Sequence, residues 1–190
     1  MFSLVKELLD TENVDDFNKL FSRIEKYENI TDSMEVEIAN YLHRVSEGRL
    51  SSESKSQIQC MMRQISELES IGDACYNLGR TLNRLHMHTK ERFTEEQVKH
   101  MHTMVSLVTH SLDVMVNVVN KSIEHQFTDY NVSYNIEHEI NNYRNQLKNQ
   151  NLQDINDGLY GYQMGVYYMD FISECEKLGD YVINVIQATK

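Results

Sequence analysis

The chain has 190 residues, 25% of them charged and 41% hydrophobic, with a net charge of −11 at neutral pH. That acidity argues against duplex nucleic acid and anionic membrane surfaces as partners, because both need clustered Lys and Arg. Cys60, Cys75 and Cys175 are odd in number and lack a C-x-x-C spacing, which argues against a disulfide framework and a cysteine zinc site and fits a reducing, cytoplasmic setting.

Proline is absent, so long helices can run with few interruptions. A stub at residues 2–9 comes first. Asp10, Thr11 and Asn13 then offer caps for a helix with Phe17, Leu20, Phe21, Ile24, Tyr27, Met34, Ile38, Tyr41 and Val45 on one broad stripe. Gly48 is placed to end it. Ser51 or Ser52 opens a second long helix to about His88, and Thr94 with Glu95 and Glu96 opens a third to about Lys121. The apolar region 101–119 carries His102, His110, Asp113 and Asn117, so it reads as a buried core helix and not a membrane span. The pattern predicts a fourth helix over 124–149 and a fifth from 152 to the end.

Two blocks of this pattern occur twice. ISELESIGD at 65–73 returns as ISECEKLGD at 172–180, 107 residues later. MEVEIANY at 34–41 returns as IEHEINNY at 136–143, 102 residues later, which leaves five extra residues between the blocks of the second copy. An internal repeat sets the reading of a whole fold. The expectation is an all-α tandem of two antiparallel three-helix bundles, residues 1–90 and 91–190. Copy one offers only the stub where copy two has the helix 94–121. The chain therefore reads as a fragment, with about 20 residues missing from the front of the first bundle.

Each copy holds a Glu and an Asp four residues apart, Glu69/Asp73 and Glu176/Asp180, and Glu28/Asp32 repeats the device one helix earlier. Residues at that spacing face the same way on a helix. The apolar stripe of the Glu69 helix (Leu68, Ile71, Cys75, Leu78, Leu82) lies on another face, so the acids belong at the edge of the bundle. Two such pairs on neighbouring helices can converge into an oxygen-rich site suited to hard cations. Gly72 and Gly179 precede the Asp of each copy; a helical glycine costs about 1 kcal/mol relative to Ala. Close helix approach or room for an ion would offset that cost.

LESIGDACYNLGR (68–80) and CEKLGDYVINVIQ (175–187) resemble the signature of the PhoU family, an E-R-I-G-D stretch followed by a spacer and an Asn that Asn77 and Asn184 match. Ser70 and Lys177 stand where the family has its Arg. DSMEVEIANYLHRVSEGRLS (32–51) further resembles the PhoU-like cytoplasmic domain fused to bacterial sodium/phosphate cotransporters. The resemblance implies metal, often iron or zinc and in principle manganese or magnesium, on the bundle surface. By residue it implies Glu28, Asp32, Glu69 and Asp73 in copy one and Glu176 and Asp180 in copy two. On the 102-residue offset, Tyr130 and Tyr134 stand opposite Glu28 and Asp32, with only Asp129 and Glu137 nearby.

The function expected from the resemblance is regulation of sodium-dependent phosphate transport. The domain would be attached to a membrane transporter portion upstream, at the cytoplasmic face of the inner membrane, without inserting in the membrane itself. A free-standing PhoU-like regulator and a metal-free helical docking scaffold are the alternatives, and pairing of two copies into a homodimer is compatible with each. No nucleic-acid partner is expected. An enzyme is not expected either: no His has Glu three residues before it, no nucleophile signature occurs, and no Gly-rich phosphate loop is present. His86-x-His88 and His100-x-His102 flank the junction of the copies, but residues two apart do not face one another on a helix.

Overall fold

The computed structural model describes residues 1–88, 91–124, 126 and 129–189. Six helices follow one another among them: α1 (Phe2–Leu9), α2 (Val14–Ser46), α3 (Ser52–His88), α4 (Glu95–Ile123), α5 (Asn131–Asn156) and α6 (Tyr162–Gln187). None is long and apolar enough to cross a membrane.

The starts obey local chemistry. Asn13 Oδ1 accepts from the Asp16 amide and caps α2, and Ser51 Oγ accepts from the Ser54 amide at the head of α3. Thr94 and Gln97 form a reciprocal capping box on α4. The break between α5 and α6 differs from the expected one at 149–152. The helix runs on to Asn156, and Gly158, at φ +74°, takes the left-handed position that ends it. The amides of Gly158 and Leu159 close back on the carbonyls of Ile155 and Asp154, a Schellman ending. Gly48 follows the end of α2 without a left-handed φ. Residues 129 and 130, expected inside the fourth helix, precede α5, and Asp129 Oδ1 accepts from the Asn131 amide. Residues 125, 127 and 128 of that expected helix lie outside the described residues, as does residue 90 at the expected junction.

Helices α1, α2 and α3 pack together, α4, α5 and α6 pack together, and α3 joins the two groups by lying against α6. Asn184 Nδ2 donates to Glu67 Oε2 and Gln64 Nε2 to the Ala188 carbonyl, so α3 and α6 run antiparallel. One core passes through both groups, from Phe2, Val5 and Leu8 through Cys75 and Leu78 to Cys175, Leu178 and Val182. Cys75 and Cys175 are core fillers, and burial pushes the Cys75 thiol up to about 12.

The stripe on α2 departs from expectation. Phe17 and Ile24 are buried, but Tyr27, Met34, Ile38, Tyr41 and Val45 are exposed, as are Met61 and Leu68 on α3. The cause is length. Eight residues of α1 span about 12 Å, whereas the 33 of α2 span about 50 Å. In the second group α4, with 29 residues, covers the corresponding face.

Candidate functional site

Helices α2 and α3 approach most closely where Gly72 faces Thr31. A Cβ on Gly72 would stand 2.8 Å from Thr31 Oγ1. That hydroxyl donates to the Glu28 carbonyl, 2.8 Å away. The missing side chain thus brings one wall of α2 onto α3, and the acids on either side come together. Glu28, Asp32 and Asp73 each offer a carboxylate oxygen within 4.8 Å of the other two. Glu69 stands one turn earlier on α3. It shares with Glu35 a hollow of about 120 Å³ floored by Met34, Ile38, Ile65 and Leu68. The result is a ladder of five carboxylates along one seam: Glu28, Asp32 and Glu35 from α2, Glu69 and Asp73 from α3.

The electrostatics match the crowding. Burial, then the charges of Asp32, Asp73 and Glu25, hold the Glu28 carboxyl above its ordinary range. Burial, then Asp73, Glu35 and Asp32, raise Glu69, against a lowering hydrogen bond from Ser70. Burial, then Asp32 and Glu174, raise Asp73, against the Arg80 guanidinium. Arg80 itself sits over the Tyr76 ring, 5.8 Å from its centroid. Asp32 Oδ1 is buried without a hydrogen-bond donor among the described residues. Acids that raise one another and a buried carboxylate oxygen without a donor make a donor set that fits a hard cation.

In the second group the geometry corrects the self-comparison of the sequence. Gly179 packs against Ile140, as Gly72 packs against Thr31. Thr31 therefore corresponds to Ile140, an offset of 109 residues, not 102. Seven residues are two helical turns, and a slip of that size turns a helix by only about 20°. The apolar pattern matched at 102 because the same face returned. On the true register the partners of Glu28, Asp32 and Glu35 are Glu137, Asn141 and Arg144, and Tyr130 and Tyr134 stand opposite nothing in the seam. The second copy has no extra residues between the blocks.

The second seam carries different chemistry. Arg144 Nη2 donates to Glu176 Oε1 at 2.5 Å, with side-chain exposures of 27% and 14%. Asn141 Nδ2 donates to Glu137. Burial, then Glu176 and Glu137, raise Asp180, while Arg144 lowers it. Glu176 and Asp180 are thus half-buried beside a guanidinium, and Asp129 is engaged as a cap, outside the seam. Arg144 and Asn141 escaped the sequence reading because the 102-residue register put Leu42 and Ala39 opposite them. Anchoring both hairpins on Gly72 and Gly179 would have found them.

The histidines serve packing. His86 stacks on Phe17 with centroids 4.4 Å apart, His100 Nδ1 meets Tyr168 OH at 3.1 Å, and His102 Nε2 meets Asp10 Oδ1 at 2.9 Å. The His88 side chain lies outside the described residues. No His or Cys joins the Glu28, Asp32, Asp73 set among the described residues.

Residues 1–82 match the family model described as the PhoU domain. The fold is similar to the crystal structure of the phosphate transport system regulatory protein PhoU from Streptococcus pneumoniae, with a TM-score of 0.73 and 18% sequence identity over 99% of this chain and 88% of that one. No curated protein matches the chain in sequence.

Proposed function

We propose, for a chain whose residues 1–82 are a PhoU-family domain, that it is a non-enzymatic regulator of phosphate transport whose conformation responds to a cation held by α2 and α3. The observation that carries this reading is the ladder of acids lying inside that domain, with Glu28, Asp32 and Asp73 converging and Asp32 Oδ1 without a donor. Glu69 and Glu35 extend the donor set by one turn. Carboxylate oxygens alone favour manganese, magnesium or iron over zinc. A bound cation would supply the positive charge that offsets the mutual repulsion of the seam, and so stiffen the α2–α3 hairpin. The finer reading is a domain at the cytoplasmic face of the membrane, attached to a sodium-dependent phosphate carrier. The resemblance of residues 32–51 supports it, and a free-standing regulator of phosphate uptake is the other form it could take.

Two measurements test it. Protein purified without chelator should carry metal by elemental analysis, and Asp73→Asn should lose it. In cells expressing the whole protein, the same variant should alter phosphate uptake without altering protein level. Metal-free protein that gains no thermal stability from manganese, magnesium, iron or zinc would remove the cation from the reading. Unchanged uptake on loss of the protein would remove phosphate transport.

A second reading, a metal-free docking scaffold, is favoured by Arg144, because that ion pair holds the second seam without a metal. It predicts that Asp73→Asn leaves partner binding unchanged.

A further inference from the structure

The two seams are built on one backbone plan, and five positions define each. In the first they are Glu28, Asp32, Glu35, Glu69 and Asp73, all carboxylates. In the second they are Glu137, Asn141, Arg144, Glu176 and Asp180: three carboxylates, one amide and one guanidinium. The correspondence is anchored by the glycine contacts, Gly72 on Thr31 and Gly179 on Ile140. It is supported by the partners: Glu35 acts on Glu69 as Arg144 acts on Glu176, and Asp73 acts on Glu28 as Glu137 acts on Asp180.

We propose that Arg144 is a built-in cation that occupies the second seam in place of a metal ion, so that only the first seam of this chain takes metal. The residues of the second seam do not fit a metal. Arg144 donates directly to Glu176 and carries its charge beside Asp180, and the amide of Asn141 occupies Glu137 as a donor. A divalent ion there would meet a fixed positive charge and a carboxylate already engaged. Guanidinium is always charged and presents its donors in a rigid fork, so it is a permanent counter-ion where a metal would be an exchangeable one. The two halves of one fold are then divided in labour. The first hairpin is conditional on metal supply, and the second is held whatever the supply. Arg144 is a positioning residue in this account and touches no substrate.

The assignment rests on the metal reading of the first seam, and the experiment separates the two. The whole chain, stripped by chelator and dialysed, is titrated with manganese(II) alone. Wild type should bind it in a manner that Asp73→Asn weakens at least tenfold and Asp180→Asn leaves within twofold. In the Asp73→Asn background, Arg144→Glu combined with Asn141→Asp rebuilds the first seam's acid set and should restore binding. A readout without metal accompanies it. Arg144→Met should lower the Tm of the stripped protein by about 5 °C, Arg144→Lys should recover part of the loss, and Glu35→Met, at the matching position, should not lower it.

Manganese binding to wild type that survives Asp73→Asn and disappears with Asp180→Asn would overturn the proposal. So would a stripped Arg144→Met protein as stable as wild type. Wild type that binds no manganese while Arg144→Met still destabilises the stripped chain and Arg144→Lys recovers it leaves the role of Arg144 standing and removes the metal from the first seam.

Discussion

Asn77 on α3 donates through Nδ2 to Glu174 Oε1 on α6, 3.2 Å away. Each partner has a counterpart 107 residues along the chain, and those counterparts meet as well: Asn184 Nδ2 donates to Glu67 Oε2 at 3.0 Å. The α3–α6 joint is therefore a reciprocal handshake, two copies of one bond related by a pseudo-twofold between the halves. The Asn of each signature stretch ties one half of the molecule to the other. The acid it uses, Glu67 or Glu174, lies on a different face from Glu69 and Glu176.

Symmetry of this kind predicts equal costs. Asn77→Ala and Asn184→Ala should each destabilise the protein by about 1 kcal/mol, the net value of a typical hydrogen bond. The two bonds lie about three turns apart on α3, so the double variant should cost nearly the sum. Urea unfolding of the three variants measures this. A single variant without effect would mean that the joint is held by its apolar contacts alone.

Gly72→Ala sets two effects against each other. Alanine gains about 1 kcal/mol of helix propensity, but its Cβ would stand 2.8 Å from Thr31 Oγ1, and overpacking of that kind costs about 1–3 kcal/mol. The expected result is a net loss that Thr31→Ala partly reverses in the double variant. At Gly79 the nearest contact of an added Cβ is Ile24 Cδ1 at 3.3 Å, the end of a flexible side chain. Gly79→Ala should be neutral or stabilising. Thermal melts of the four proteins check the ordering.

The first seam gives a pH dependence of definite sign. Glu28, Glu69 and Asp73 have carboxyls raised in the folded state. Such groups favour folding below their unfolded pKa values, and that contribution is lost as pH rises through the folded ones. At pH 7 the metal-free seam is therefore a net repulsion. Asp73→Asn should make the stripped protein more stable at pH 7, by roughly 0.5 kcal/mol given its exposure. The difference should shrink toward pH about 4, as the wild-type carboxyl takes up its proton. An advantage that stays constant between these pH values would mean that Asp73 does not feel its neighbours.

Equivalent positions on the two hairpins should respond differently. Ile38 is 38% exposed where its counterpart Leu147 is 1%, and Met61 is 46% exposed where Tyr168 is 2%. Leu147→Ala should cost about 2–5 kcal/mol. Ile38→Ala and Met61→Ala should stay within about 0.5 kcal/mol of wild type. Chemical denaturation of the isolated chain distinguishes the two classes, and a large loss from Met61→Ala would mean that its face is covered in solution.

The sequence by itself determined the class of fold, the duplication, the capped helix starts, the edge position of the acids and the resemblance to the PhoU family. These features are local or periodic: a cap reads its next turn, and an i, i+4 pair shares a face whatever surrounds it. Tertiary structure decided three other things. It set the register of α5 against α2, because a heptad slip leaves a helical pattern almost unchanged and only the packing of Gly179 on Ile140 distinguishes 109 from 102. It decided which stretch of the α2 stripe is covered, because burial depends on how far α1 reaches and not on periodicity. It also gave Glu176 its guanidinium partner. Arg144 lies 32 residues away along the chain, and two such residues meet only when the hairpin that carries them has closed.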